Sequence, residues 1–213
     1  MSRRLTTLVL IAAMIAPAVI IDRIAVIIDN QIVKDSDIRR DIRVVSFLNN
    51  ESLDLSPAAR KKALDRLIDQ IFIRREIERG GYQTASFQQA DQQLENLEKD
   101  RFKTTAALNH ALQRYDLNSL DLRYHFQWQL TVLRFIDVRF KPAVLVSDDE
   151  IEKYYGEHAS ALRRQFPGKS SLDQLRNYIR DLLTNEQVNQ QFFGWLDEQR
   201  KESKIQILEA SLR

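Results

Sequence analysis

The sequence predicts a mainly α-helical fold with one small antiparallel β-sheet that joins the two ends of the chain. Helical spacing of apolar residues covers most of residues 36–201. Alternating β-branched residues occur at both ends of the chain, in residues 24–33 and again in residues 205–207. The 213 residues include only 5 glycines and 4 prolines, too few for a loop-rich all-β fold or a phosphate-binding glycine loop.

The first 18 residues have the order of a secretory signal. Arg3 and Arg4 precede an apolar run over residues 5–15, and Ala16-Pro17-Ala18 has the small-x-small form of a cleavage site. The run is shorter than the roughly 20 residues that a membrane span needs. We therefore expect a cleaved signal peptide over 1–18 and a periplasmic protein. Residues 19–21 prolong the apolar run, so an uncleaved anchor is the alternative.

Charge and cysteine content exclude several classes of function. The chain has no cysteine, and therefore no disulfide, thiol nucleophile or thiolate metal site. Cleavage after residue 18 removes Arg3 and Arg4 and no acidic residue, so the formal charge falls from +2 to 0. Without a net basic field, we expect no nucleic-acid binding and no stable membrane association after cleavage.

Residues 19–140 are predicted to form the N-terminal domain, with a hairpin and about five helices. Residues 24–28 and 32–33 read as strands around a tight turn at Asp29-Asn30. Ser36 has the character of an N-cap for a first helix to about Leu48. The residues expected to be buried in this helix are Ile38, Ile42, Val45 and Leu48.

Capping signals divide the next segment into three helices. Ser56-Pro57 begins the second helix and Gly80-Gly81 ends it. Ser86 begins the third helix, and Thr104 caps a short fourth helix to Tyr115.

The fifth helix, from Asn118 or Ser119 to about Phe140, has apolar residues on two faces. Such a helix is normally buried between neighbours, which predicts a central core helix. The alternative is that some of its aromatic residues line a groove for a partner. One face carries Leu122, Phe126, Leu130, Leu133 and Phe140, and the other carries Leu120, Tyr124, Trp128, Phe135 and Val138.

The C-terminal third is predicted as a short helix and linker over 141–171, followed by a long helix and a strand over 172–213. Ser147 caps the short helix, and residues 166–171 are the clearest linker. We expect the final strand, around Ile205 and Ile207, to pair with the N-terminal hairpin, within one chain or swapped between two. The predicted buried residues of the long helix are Leu175, Ile179, Leu182, Phe193 and Leu196.

No catalytic, cofactor or metal site is predicted. His110, His125 and His158 are scattered, and His125 lies among apolar neighbours as a packed or interfacial residue. The acidic run at 148–150 suits the positive end of a helix.

Five segments in fixed order resemble the SurA-like periplasmic chaperones, and the likeness extends over nearly the whole chain after the expected signal peptide. They are DRIAVIIDNQIVKDSDI, KKALDRLIDQIFIRREIERGGY, SFQQADQQLENL, LRYHFQWQLTVLRFIDVRF and VSDDEIEKYYGEH. Most relatives carry parvulin-type prolyl isomerase domains before the last helix. Here the interval 158–172 is too short for that fold, so we expect no isomerase activity.

The resemblance implies a SurA-like, trigger-factor-like peptide-binding module that acts as an ATP-independent holdase. Its expected partners are unfolded outer-membrane or secreted polypeptides. A structural or adaptor protein with one dedicated partner is the alternative. The candidate client-binding residues are Tyr124, Trp128, Phe135, Phe192 and Trp195.

Overall fold

The structure, a computed structural model, describes residues 22–168, 171–209 and 212. The expected signal peptide lies outside these residues. A π-helical turn at Glu98–Phe102 follows the third helix, and a 3₁₀ turn at Lys141–Ala143 follows the fifth. The described strands and α-helices, in chain order, are β1 (Ile24–Ile28), β2 (Gln31–Lys34), α1 (Asp35–Asn49), α2 (Pro57–Gly80), α3 (Phe87–Leu97), α4 (Thr105–Gln113), α5 (Ser119–Arg139), α6 (Asp148–Gln165), α7 (Leu172–Glu202) and β3 (Ile205–Ile207).

The predicted sheet between the two ends of the chain is confirmed. Its strand order is β2-β1-β3, and both pairs are antiparallel. Val26 of β1 lies opposite Ile207 of β3. Asp29, at the hairpin turn, has a positive φ of 51°, and its carboxylate accepts a hydrogen bond of 2.8 Å from the Lys204 backbone N–H. The fold is therefore mainly helical with one small sheet, as the sequence predicts.

Side-chain caps begin most of the helices. The predicted caps at Ser56, Ser86, Thr104 and Ser147 each accept a backbone N–H from the first turn. The prediction for Ser36 is wrong, because β2 runs directly into α1 and the helix begins at Asp35. The Ser36 hydroxyl instead donates to Asp22, which ties the start of the described chain to α1.

The buried side chains form three clusters. The largest joins the sheet to α1, α2, the end of α5 and the second half of α7. A second cluster joins the end of α1 to α4 and the start of α5. The third contains Ile151 and Leu162 of α6 with Leu175 and Ile179 of α7. The long helix α7 thus contributes its first half to one cluster and its second half to another.

The prediction that α5 is buried on two sides is wrong. Only Leu122, Thr131 and Phe135 of this helix are buried. The helix packs along α3, joins the second cluster at its start and the main core toward its end, and leaves several apolar residues exposed. Its exposed apolar residues include Leu120, Tyr124, Leu133 and Val138.

The buried face of α7 also differs from the prediction. Phe193 is 59% exposed and Leu182 is only half-buried, whereas Phe192 is 7% exposed. The second half of α7 faces the core with the four-residue spacing of Val188, Phe192 and Leu196. Phe193 lies about 100° around the helix from Phe192, and this rotation turns its ring outward.

Candidate peptide-binding cleft

An open cleft of about 850 Å³ lies between α1, α2, α5 and α7, with one side chain of α3 at its edge. Ligand sites in proteins usually have volumes of roughly 300–1,000 Å³. Most of the lining is apolar. The apolar lining residues are Val45, Leu48, Ile73, Phe126, Trp128, Leu130, Val132, Leu133, Phe192, Phe193 and Leu196.

The most exposed apolar side chains of the cleft come from α5 and α7. Leu133 is 60% exposed and Phe193 is 59% exposed, and both line the cleft. The sequence assigned both to the core, because their spacing fits a helix stripe. The pair Phe192-Phe193 was the sequence signal that could have identified one exposed ring, since two adjacent phenylalanines of a helix cannot both face one core.

Of the five residues predicted to bind clients, two line the cleft. Trp128 is half-buried in its wall, and Phe192 contributes a largely buried ring. Tyr124 is 55% exposed and faces a separate cavity. Trp195 is half-buried against Phe135.

The prediction that Phe135 lines a client-binding groove is wrong. Its side chain is 1% exposed, and its ring packs edge-on against Tyr82 and Phe140 at centroid distances of 5.1 and 5.7 Å. Phe135 lies on the side of α5 that faces the main core. It therefore stabilises the wall behind the cleft instead of forming its surface.

The charged residues that line the cleft are all neutralised by ion pairs. Asp41 accepts a hydrogen bond of 3.0 Å from Arg66 Nε, and Asp69 accepts one of 2.9 Å from Arg200 Nε. Burial raises the pKa of Asp41 and of Asp69, and the paired guanidinium in each case offsets part of that rise. Since both carboxylates have a cation beside them, the lining carries no unpaired charge.

Four amide side chains complete the lining, one each from α1, α2, α3 and α5. They are Asn49, Gln70, Gln93 and Gln129. None of them makes a side-chain hydrogen bond within the described part of the chain, although α3 and α5 carry other glutamines that do. Their donors and acceptors are therefore available to a ligand.

His125 and Trp128 lie between the cleft and a smaller cavity of about 330 Å³, which is lined by β2, α1, α2 and α5. Both residues, together with Asp41 and Gln70, line the two spaces. Burial lowers the pKa of His125 to about 4, and the positive charge of Arg66 adds to this effect. The Arg74 guanidinium lies 3.9 Å from the centroid of the Trp128 ring and holds it by a cation–π contact.

No protein-family model matches the chain, and no curated protein matches it significantly. Within the described ranges, no helix is long and apolar enough to cross a membrane. The same residues contain no cluster of three potential metal ligands. Fold and site together define a mainly helical protein with an open, apolar and charge-neutral surface cleft.

Proposed function

We propose that this protein is an ATP-independent periplasmic chaperone, a holdase that binds unfolded outer-membrane or other exported polypeptides without prolyl isomerase activity. The observation that carries this proposal is the exposed apolar lining of the cleft, with Leu133 and Phe193 each more than half exposed beside Trp128. The periplasmic location rests on the signal-like residues 1–18.

The chemistry of the cleft suits an unfolded client. Large contiguous apolar surfaces on soluble proteins commonly mark binding sites. Unfolded strands of a membrane barrel alternate apolar and polar residues and expose unpaired backbone groups. An open apolar surface contributed by four helices can accept many such sequences weakly, and release them without ATP.

The proposal is tested by aggregation of a urea-unfolded outer-membrane barrel protein, diluted into buffer with or without this protein. We expect near-equimolar protein to suppress light scattering without ATP. The variant Leu133→Gln/Phe193→Gln should need about tenfold more protein for the same suppression, since 1.4 kcal/mol of lost binding energy is a factor of ten. No suppression even at large excess would overturn the proposal in favour of one dedicated partner.

A matched control is available outside the cleft. Leu145 is 88% exposed and lies between α5 and α6, away from the cleft lining. Leu145→Gln removes a comparable exposed apolar side chain and should leave suppression unchanged. An equal loss in the control and in the double variant would show that surface hydrophobicity in general, and not the cleft, holds the client.

A further inference from the structure

We propose that the cleft selects extended polypeptide segments without charged side chains, and that its amide side chains hydrogen-bond to the backbone of the bound segment. The inference rests on the proposed function, because it specifies the class of client that the same cleft binds. Two separate features of the lining carry it, its charge and its free amides.

The first feature is the low charge of the lining. Only three of the cleft's lining residues are charged (Asp41, Arg66 and Asp69), in a chain of which 29% is charged. Each already has an opposite charge beside it: Asp41 pairs with Arg66, and Asp69 pairs with Arg200. A lysine or a glutamate of the client would lose hydration in the cleft and find no free opposite charge. The cleft therefore discriminates against charge of both signs.

The second feature is the set of amides. Each Asn or Gln side chain offers an N–H donor and a carbonyl acceptor, the same pair of groups that a peptide bond requires. An extended segment that lies on an apolar wall without a neighbouring strand leaves the backbone groups nearest the wall without hydrogen-bond partners, which costs free energy. Asn49, Gln70, Gln93 and Gln129 come from four helices around the cleft and can satisfy those groups.

The same two features favour a polypeptide over a lipid or a detergent. An acyl chain has no backbone groups for the amides to bind. A fatty acid or an anionic headgroup would need a free cation, and both Arg66 and Arg200 are already paired with carboxylates. Backbone recognition is also independent of client sequence, because every peptide bond presents the same groups.

The test uses a capped peptide of alternating valine, phenylalanine and threonine, labelled with a fluorophore and titrated with the purified protein. Two peptides replace two threonines with lysine or with glutamate, and a third is N-methylated at alternate peptide bonds. We expect the dissociation constant to rise about tenfold for both charged peptides and about fivefold for the N-methylated one, each loss being on the order of 1 kcal/mol. Equal binding of all four peptides would overturn the inference, because it would show apolar adhesion alone.

Protein variants assign the effect to the amides. Gln93→Leu/Gln129→Leu should bind the parent peptide more weakly and lose its preference over the N-methylated peptide. Gln92→Leu, at the preceding position on α3 with its amide directed to Asn96, should keep that preference. Discrimination that persists in the double variant would overturn the role of the amides. Peptide discrimination without suppression of aggregation would overturn the proposed function and leave this inference standing.

Discussion

At the residue scale, Phe192 and Phe193 show how two identical neighbours divide between core and cleft. Phe192 packs against Phe140 and Trp195, with ring centroids 5.6 and 6.1 Å away. Phe193 touches the ring of Phe192 but turns toward the cleft. A buried aromatic ring stabilises the fold, whereas an exposed one contributes little to stability and remains available for binding.

We therefore predict opposite effects of the same substitution at the two positions. Phe192→Ala should lower the free energy of unfolding by about 3–5 kcal/mol, because it leaves a cavity in the main core. Phe193→Ala should change it by no more than about 0.5 kcal/mol. Urea unfolding followed by circular dichroism measures both. Equal destabilisation by the two substitutions would contradict the assigned orientation of α7.

His125 lies in the wall of the cleft, and its protonation couples the stability of the protein to pH. Its pKa is lowered from 6.5 to about 4 by burial, so the folded protein binds a proton there less readily than the unfolded chain. Stability from this residue is therefore fully present above pH 6.5 and decreases as the pH falls toward 4. Asp41 and Asp69, whose pKa values are raised, act in the opposite sense.

We predict that His125 lowers the free energy of unfolding by about 2 kcal/mol between pH 7 and pH 5, because the unfolded chain gains its proton below about pH 6.5 at roughly 1.4 kcal/mol per pH unit while the folded protein stays unprotonated. His125→Gln should remove this decrease and leave the contributions of the acidic residues in place. The measurement is urea unfolding at both pH values. His110→Gln is the control, since His110 is exposed on α4 and lines neither the cleft nor the smaller cavity. A parallel loss in wild type and His125→Gln would contradict the assignment.

At the element scale, β3 illustrates how three residues complete the sheet. Ile205 and Ile207 are half-buried and pack on the main core, whereas Gln206 points to the exposed face. Alternation of this kind means that each strand position has a defined side. A charge is costly on one side and harmless on the other.

We predict that Ile207→Asp lowers the free energy of unfolding by about 1–3 kcal/mol, because it places a carboxylate against the core. Gln206→Asp, on the same strand and the opposite face, should stay within about 0.5 kcal/mol of wild type. Chemical unfolding of the two variants decides the question. A larger effect at Gln206 would mean that the register of β3 against β1 is shifted by one residue.

Sequence patterns predicted the positions of the helices and strands better than they predicted which of their faces are buried. Caps such as Ser56 and Asn118, and the left-handed Gly81, are local signals, and the helices begin or end where these residues stand. The π-helical turn at Glu98–Phe102 has no comparable signal in the sequence. Whether an apolar helix face is exposed depends on which other helix packs against it, and periodicity does not contain that information. Periodicity alone therefore placed Leu133 and Phe193 in the core. The cleft could not be predicted from the sequence, because it forms only where four helices from different parts of the chain pack together.

At the scale of the whole molecule, ionic contacts tie the ends of the chain to its helices. Arg60 of α2 contacts Asp35 at 2.5 Å and Glu209 at 2.7 Å. Arg75 contacts Asp29 at 2.6 Å, beside the hydrogen bond from Lys204. Arg200 of α7 contacts Asp69 of α2. The Arg200 contact holds the second half of α7, and with it one wall of the cleft, against α2. The Arg60 and Arg75 contacts hold the segments beside the sheet against the same helix.

The pairing of β3 with β1 also determines when the protein can finish folding during its synthesis. Asp29 and Lys204 are separated by 175 positions, so β3, which pairs with the second edge of β1, is synthesised long after the hairpin. At roughly 5–20 residues per second, β3 follows the hairpin after about 9–35 s. Contacts so distant in sequence also slow folding once the chain is complete. Until β3 has been synthesised, one edge of β1 therefore has no strand beside it and is open to pairing with another chain.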